Sequence, residues 1–156
     1  MNLLIADDDD AYQRLLRAAF SYNPSILLTF VPDGAAAWWH LSDDTNRFDL
    51  CIFDVKMPVV DGIMLIERMR ATPRLKDTKV ILCTGNTDRP TIDRALDLAV
   101  TQIVAKPFTL KLIRERVSSI LKIPPAPSRG ASPLPATAGT RPPHSTSGTR
   151  SPHARA

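Results

Sequence analysis

Four short apolar runs, each stopping at a polar or charged side chain, constrain the fold of this 156-residue chain more than any other feature. Their length and composition are typical of strands that are buried within a parallel sheet. The stretches between them have the apolar spacing of helices, so the chain alternates between strand and helix. The runs are residues 1–6, 48–53, 79–83 and 102–105. We therefore expect an α/β fold with a parallel sheet and helices on both faces.

The remaining elements follow from the same patterns. A second strand is predicted at residues 25–31, and Pro32-Asp33-Gly34 should turn the chain into a short helix at residues 35–41. Other helices are predicted at residues 10–21, from Gly62 to just before Pro73, at residues 90–100, and after Thr109, which can cap the last one. The expected apolar positions are Leu16, Ala19 and Phe20 in the first helix and Leu110, Ile113, Val117 and Leu121 in the last.

The polar groups that end the strands should meet at one edge of the sheet. Ligands of such sheets bind outside the carboxyl ends of the strands. Two acids for a metal, one acid beside them, a hydroxyl and a lysine suit a phosphoryl group. The residues concerned are Asp7, Asp8, Asp54, Thr84 and Lys106.

Asp54 is the candidate for chemistry at this edge. A turn-initiating aspartate before Met57-Pro58 would look the same in isolation. The other strand ends favour the functional interpretation. The four consecutive acids at residues 7–10 repel one another, so part of this cluster should bind a hard divalent cation, for which Mg²⁺ is the usual cellular choice.

Taken together, these motifs resemble the receiver domain of two-component response regulators, including the stand-alone chemotaxis and sporulation regulators. The resemblance covers residues 1–122. It rests on the acidic pair after the first strand, the run Asp-x-x-Met-Pro-x-x-Asp-Gly at residues 54–62, Asp33-Gly34, Thr84 followed by a small residue, and Lys106-Pro107-Phe108. It implies a flavodoxin-like, doubly wound sheet of five parallel strands in the order 2-1-3-4-5, with five helices.

The resemblance also implies a role for each site residue. Asp54 would accept a phosphoryl group from a phosphohistidine or a small acyl phosphate. Asp8, Asp54 and the backbone carbonyl of Lys56 would ligate Mg²⁺, with Asp7 acting through water. Lys106 would pair with one phosphoryl oxygen and the Thr84 hydroxyl would donate a hydrogen bond to another.

Two positions of the sequence each allow two interpretations. Receivers usually carry Tyr or Phe three residues before the lysine, where this chain has Ile103. Either the Thr84 movement is relayed differently, or a β-branched residue simply suits an edge strand. Lys56 could lie over the phosphoryl group and shield it from water, or it could be a solvated surface lysine.

Composition changes abruptly after Ile123. Residues 123–156 hold eight of the fourteen prolines and four arginines but no acid, so the net charge of +4 belongs entirely to this segment. Such a composition predicts a disordered tail after a single folded domain at residues 1–122. Four scattered arginines without interleaved aromatics argue against specific nucleic-acid binding.

No targeting or membrane-inserting segment is recognised, and the two cysteines are expected as free thiols in core strands, which favours a cytoplasmic protein. The expected partners are a sensor histidine kinase or histidine phosphotransferase and a downstream target protein, with the chain monomeric or weakly dimeric.

Three functions compete. The first is a phosphoacceptor switch without its own output domain. The second is a pseudo-receiver that acts as a constitutive interaction module. The third is an aspartyl-phosphate phosphatase, which is the weakest because such enzymes usually place a second acid where this chain has Lys56.

Overall fold

In a computed structural model, residues 1–85 and 89–124 are described. The predicted tail lies outside these residues, except for its first two positions. Ten elements alternate along the chain. They are β1 (Asn2–Ala6), α1 (Asp10–Phe20), β2 (Leu27–Val31), α2 (Gly34–Ser42), β3 (Leu50–Asp54), α3 (Gly62–Ala71), β4 (Lys79–Thr84), α4 (Arg89–Asp97), β5 (Gln102–Ala105) and α5 (Leu110–Leu121).

The sheet has the predicted topology. Its five strands are parallel and lie in the order β2-β1-β3-β4-β5. The central strands carry almost only buried side chains, whereas the edge strands β2 and β5 are partly exposed. The flavodoxin-like α/β prediction is therefore confirmed.

Alternate side chains of each strand enter two separate cores. Leu3 and Ile5 point to a core shared with α1 and α5, whereas Leu4 and Ala6 point to a core shared with α2, α3 and α4. Both faces of the sheet are thus covered, as parallel sheets require. Cys51 and Cys83 are buried free thiols, as predicted.

The end of α4 differs from prediction. The α4 helix ends at Asp97 rather than near residue 100, because Ala99 adopts a left-handed φ of 51°. The amides of Ala99 and Val100 then donate to the carbonyls of Leu96 and Ala95, closing the helix. Lys122 ends α5 in the same conformation, with φ of 53°.

Three smaller predictions also need correction. The second strand begins at Leu27 rather than residue 25, because the Asn23 side chain accepts a hydrogen bond from the Ser25 amide and holds a turn there. The first helix ends one residue earlier than expected, at Phe20. In α5 the buried stripe contains Ile120 in place of Leu121, and Leu110 is 36% exposed.

Two glycines allow the backbone to approach closely around the end of β3. A Cβ atom on Gly62 would lie 2.3 Å from the Asp54 carbonyl oxygen, and one on Gly34 would lie 2.2 Å from the Val60 carbonyl oxygen. Neither carbonyl group can shift easily, since Asp54 ends β3 and Val60 lies in the connection between β3 and α3. The first turns of α2 and α3 therefore depend on these glycines.

Within residues 1–85 and 89–124, no helix combines the length and apolar character needed to cross a bilayer.

We expect Gly62→Ala to destabilise the fold by about 2–3 kcal/mol, because the clash with backbone outweighs the gain of at most about 1 kcal/mol in helix propensity. Gly85→Ala is the matched control, since a Cβ there meets nothing within 4 Å. Urea unfolding of both variants measures the difference. Equal midpoints for the two would contradict the packing described here.

Candidate functional site

The strand register brings the polar strand ends to one edge. Ala6 pairs with Phe53, so the next residues, Asp7 and Asp54, lie side by side. Thr84 pairs with Ala105, so Lys106 follows directly beside it. The parallel register alone therefore assembles the side chains that the sequence predicted to meet.

Three carboxylates lie close enough to share one cation. The potential ligand oxygens of Asp7, Asp8 and Asp54 are all within 4.8 Å of one another. Asp7 and Asp54 are buried, and Asp8 is exposed. Two carboxylates in a partly dehydrated site repel strongly unless a cation neutralises them. The donor set, made entirely of oxygens, suits a hard divalent ion such as Mg²⁺.

Lys106 supplies the positive charge among these acids. Its Nζ donates to Asp7 Oδ2 at 2.7 Å and lies 3.3 Å from Asp54 Oδ2. Its side chain is only 9% exposed, so protein groups replace most of its hydration. The backbone amide of Lys106 also donates to the Thr84 carbonyl at 2.7 Å, which ties the lysine to the end of β4. Thr84 itself is 2% exposed.

The electrostatics of the site depend on burial and on this lysine. Burial raises the pKa of the Asp54 carboxyl; the charge of Lys106 opposes the rise, and the neighbouring Asp7 and Asp8 add to it. Burial by itself would lower the pKa of the Lys106 ammonium. The hydrogen bond from Lys106 to Asp7 and the charges of Asp7 and Asp54 outweigh that effect, so the pKa of Lys106 is raised. Lys106 is therefore held as a cation.

Several residues position the acids without belonging to the predicted set. The Asp7 Oδ1 atom accepts from the Asp9 amide at 2.9 Å, and the Asp7 carbonyl accepts from Gln13 Nε2 at 2.7 Å. The Asp9 carboxylate caps α1 by accepting from the Ala11 amide at 2.7 Å.

Tyr12 is a second residue that sequence analysis missed. Its ring lies under the Lys106 ammonium, with Nζ 4.0 Å from the ring centroid. The ring also packs against Phe108, with centroids 5.2 Å apart. Its position in α1, four residues after Asp8, was the only signal in the sequence. An aromatic at that spacing is equally typical of a helix facing the core.

The two unusual positions differ in burial. Lys56 is exposed, and both alternatives for its side chain remain open. Ile103 lies on the edge strand β5, as expected, and packs partly buried against the core formed with α2, α3 and α4.

Comparison with known proteins agrees with this geometry. The family model for the response regulator receiver domain matches residues 3–118. This chain belongs to that family.

Relatives of the receiver include stand-alone proteins and longer ones. Chemotaxis protein CheY of Pseudomonas aeruginosa is 30% identical over 122 residues, covering 78% of this chain and 97% of the relative. The 3',5'-cyclic-nucleotide phosphodiesterase regA of Dictyostelium discoideum is 28% identical over 126 residues, covering 78% of this chain. The match spans only 15% of that longer protein.

Solved structures agree with the receiver fold. The receiver domain of the Francisella response regulator 1452 superimposes with a TM-score of 0.68 at 27% identity, covering 78% of this chain and 96% of that one. A putative response regulator from Chloroflexus aurantiacus gives a TM-score of 0.69 at 27% identity. The match covers 78% of this chain and 98% of that one.

We expect Asp54→Asn to raise the thermal stability of the receiver at neutral pH in the presence of a chelator. The raised pKa means that folding disfavours the ionised Asp54 carboxylate, and this cost is complete above the folded-state pKa. The advantage of Asn should shrink as pH falls through that pKa and the wild-type carboxyl becomes neutral. Thermal unfolding followed by circular dichroism between acid and neutral pH measures it.

Asp93→Asn is the control, because Asp93 forms an exposed ion pair with Arg89 that is worth at most about 0.5 kcal/mol. A wild type that is more stable than Asp54→Asn at neutral pH without divalent cations would contradict the electrostatic description.

Proposed function

We propose that this receiver is a phosphoacceptor switch in which Asp54 takes a phosphoryl group in a Mg²⁺-dependent reaction. The observation that carries the proposal is that the Asp54 carboxylate belongs to a cluster of three carboxylates and also lies 3.3 Å from the Lys106 ammonium. Neither feature is needed to end a strand or begin a turn. Both are needed when an anion must react with another anion.

The acids form a reasonable cation site. Asp8, Asp54 and the Lys56 backbone carbonyl would hold Mg²⁺ directly, and Asp7 would act through water. Asp7 already uses one oxygen for the Asp9 amide and the other for Lys106, which suits an outer position. When bound, Mg²⁺ would neutralise charge on the phosphoryl oxygens.

The residues of the chain have separate tasks in the transfer. An Asp54 carboxylate oxygen forms a bond to phosphorus as the bond from phosphorus to the donor imidazole nitrogen, or to the acyl oxygen, breaks. Lys106 would exchange part of its contact with Asp7 for a phosphoryl oxygen, a movement of short range since it already lies beside Asp54. The Thr84 hydroxyl would donate a hydrogen bond to a second phosphoryl oxygen.

A phosphoryl group on Asp54 would change the surface that partners meet. It adds negative charge where Lys106 and Thr84 now lie, and their inward movement can bias neighbouring elements between two arrangements. The donor would be a sensor histidine kinase or histidine phosphotransferase. The output would be altered binding to a target protein rather than an activity of the chain on a separate substrate.

The proposal is tested by incubating the purified chain with acetyl phosphate and Mg²⁺ and measuring its intact mass. We expect one phosphoryl adduct that is lost with a chelator and absent in Asp54→Asn. Asp10→Asn serves as the matched control, because it removes an exposed acid of the same cluster that lies outside the three-carboxylate group.

An adduct that persists in Asp54→Asn would show that another residue accepts the phosphoryl group. No adduct on the wild type would favour the alternative, a pseudo-receiver that binds its partners constitutively.

A further inference from the structure

Three groups lie close to the Lys106 ammonium, and only two of them are acids. Asp7 and Asp54 provide oxygens at 2.7 Å and 3.3 Å, and the face of the Tyr12 ring lies 4.0 Å from Nζ to its centroid. With 9% of the lysine side chain exposed, the ring occupies space that water would otherwise fill. The ring is therefore part of the environment that replaces hydration of this cation.

The Tyr12 ring is itself held in place from behind. It packs against Phe108 with ring centroids 5.2 Å apart and planes tilted by 42°. Phe108 is 6% exposed and belongs to the core between the sheet and the helices α1 and α5. Tyr12 thus connects the core to the ammonium and is not a loosely placed surface ring.

The two acid contacts of Lys106 are unequal. Asp7 makes the shorter contact with Lys106, and Asp7 is fixed by the Asp9 amide and by Gln13. Without the Tyr12 ring, the flexible lysine side chain could bind Asp7 alone or turn toward water. A phosphoryl group on Asp54 needs the ammonium at the Asp54 side of this space.

We propose that Tyr12 is a positioning residue for phosphoryl transfer, in which the face of its ring holds the Lys106 ammonium within reach of Asp54. The inference rests on the proposed function for its kinetic consequence, but the contact between ring and cation exists independently of it. The face of the ring positions the ammonium, so the phenolic hydroxyl of Tyr12 is not needed for this role.

Three variants test the role of the ring in the rate of phosphorylation by acetyl phosphate with saturating Mg²⁺. Tyr12→Leu should slow the reaction about three- to tenfold, which is the range for a partly desolvated cation–π contact. Tyr12→Phe should restore a rate within about twofold of wild type because it keeps the ring face. Phe30→Leu is the matched control, since it removes the ring under Arg17 at 4.3 Å and leaves Lys106 untouched.

A series of fluorinated rings at position 12 keeps the proposal testable if Tyr12→Leu misfolds. Phenylalanine with one, two or three ring fluorines at position 12 keeps the shape of the ring while weakening its attraction for cations. The logarithm of the rate should fall steadily with fluorination. A rate that is the same throughout the series, or a Tyr12→Leu rate equal to that of wild type, would overturn the proposal.

A spectroscopic measurement separates this inference from the proposed function. The sample is protein that contains ¹³C-labelled lysine, measured by NMR without Mg²⁺ or phosphoryl donor. The ring current of Tyr12 should shift the ε-methylene protons of Lys106 upfield. The shift should disappear in Tyr12→Leu and persist in Tyr12→Phe, with Lys106→Met assigning the signal. A normal Lys106 shift in wild type overturns the inference, whereas an upfield shift in a protein that cannot be phosphorylated overturns the proposed function alone.

Discussion

The rest of the site depends on the burial of two carboxylates and one ammonium at the end of a parallel sheet. Asp7, Asp54 and Lys106 are each at most one-tenth exposed as side chains, and together they carry one uncompensated negative charge. A buried ion pair of this kind adds little to stability, because desolvation offsets most of the attraction. In the proposed function, its value lies in a site that would attract a cation and then a phosphoryl group.

The fold holds these charges by separating structural and chemical tasks. Two apolar cores, one on each face of the sheet, supply the burial that fixes the strands. The strand ends lie beyond both cores, and Gly62 lets the first turn of α3 pack directly on the Asp54 backbone. The backbone of the site is therefore held by packing, while the long Lys106 side chain can contact either Asp7 or Asp54. The proposed switch needs that combination.

Much of this arrangement could be predicted from the sequence because apolar strands and their polar ends are local patterns. The candidate site residues Asp7, Asp54, Thr84 and Lys106 were recognisable because each comes directly after a short apolar run that is typical of a strand in a parallel sheet. The end of α4 was less predictable, because Ala99 adopts a left-handed conformation that usually marks glycine. Tyr12 was missed for a different reason. Its role depends on the contact of α1 with Lys106, 94 positions away, and no local pattern encodes such a contact.

The most direct test of the account is a crystal structure of the chain with Mg²⁺ and beryllofluoride, a stable mimic of the phosphoryl group. The account predicts beryllium bonded to an Asp54 carboxylate oxygen, Mg²⁺ held by Asp8 and Asp54, and Lys106 Nζ within hydrogen-bond distance of a fluorine. Beryllofluoride on another side chain, or Lys106 still bound to Asp7 with no contact to fluorine, would contradict the central claim that these buried charges form a phosphoryl site.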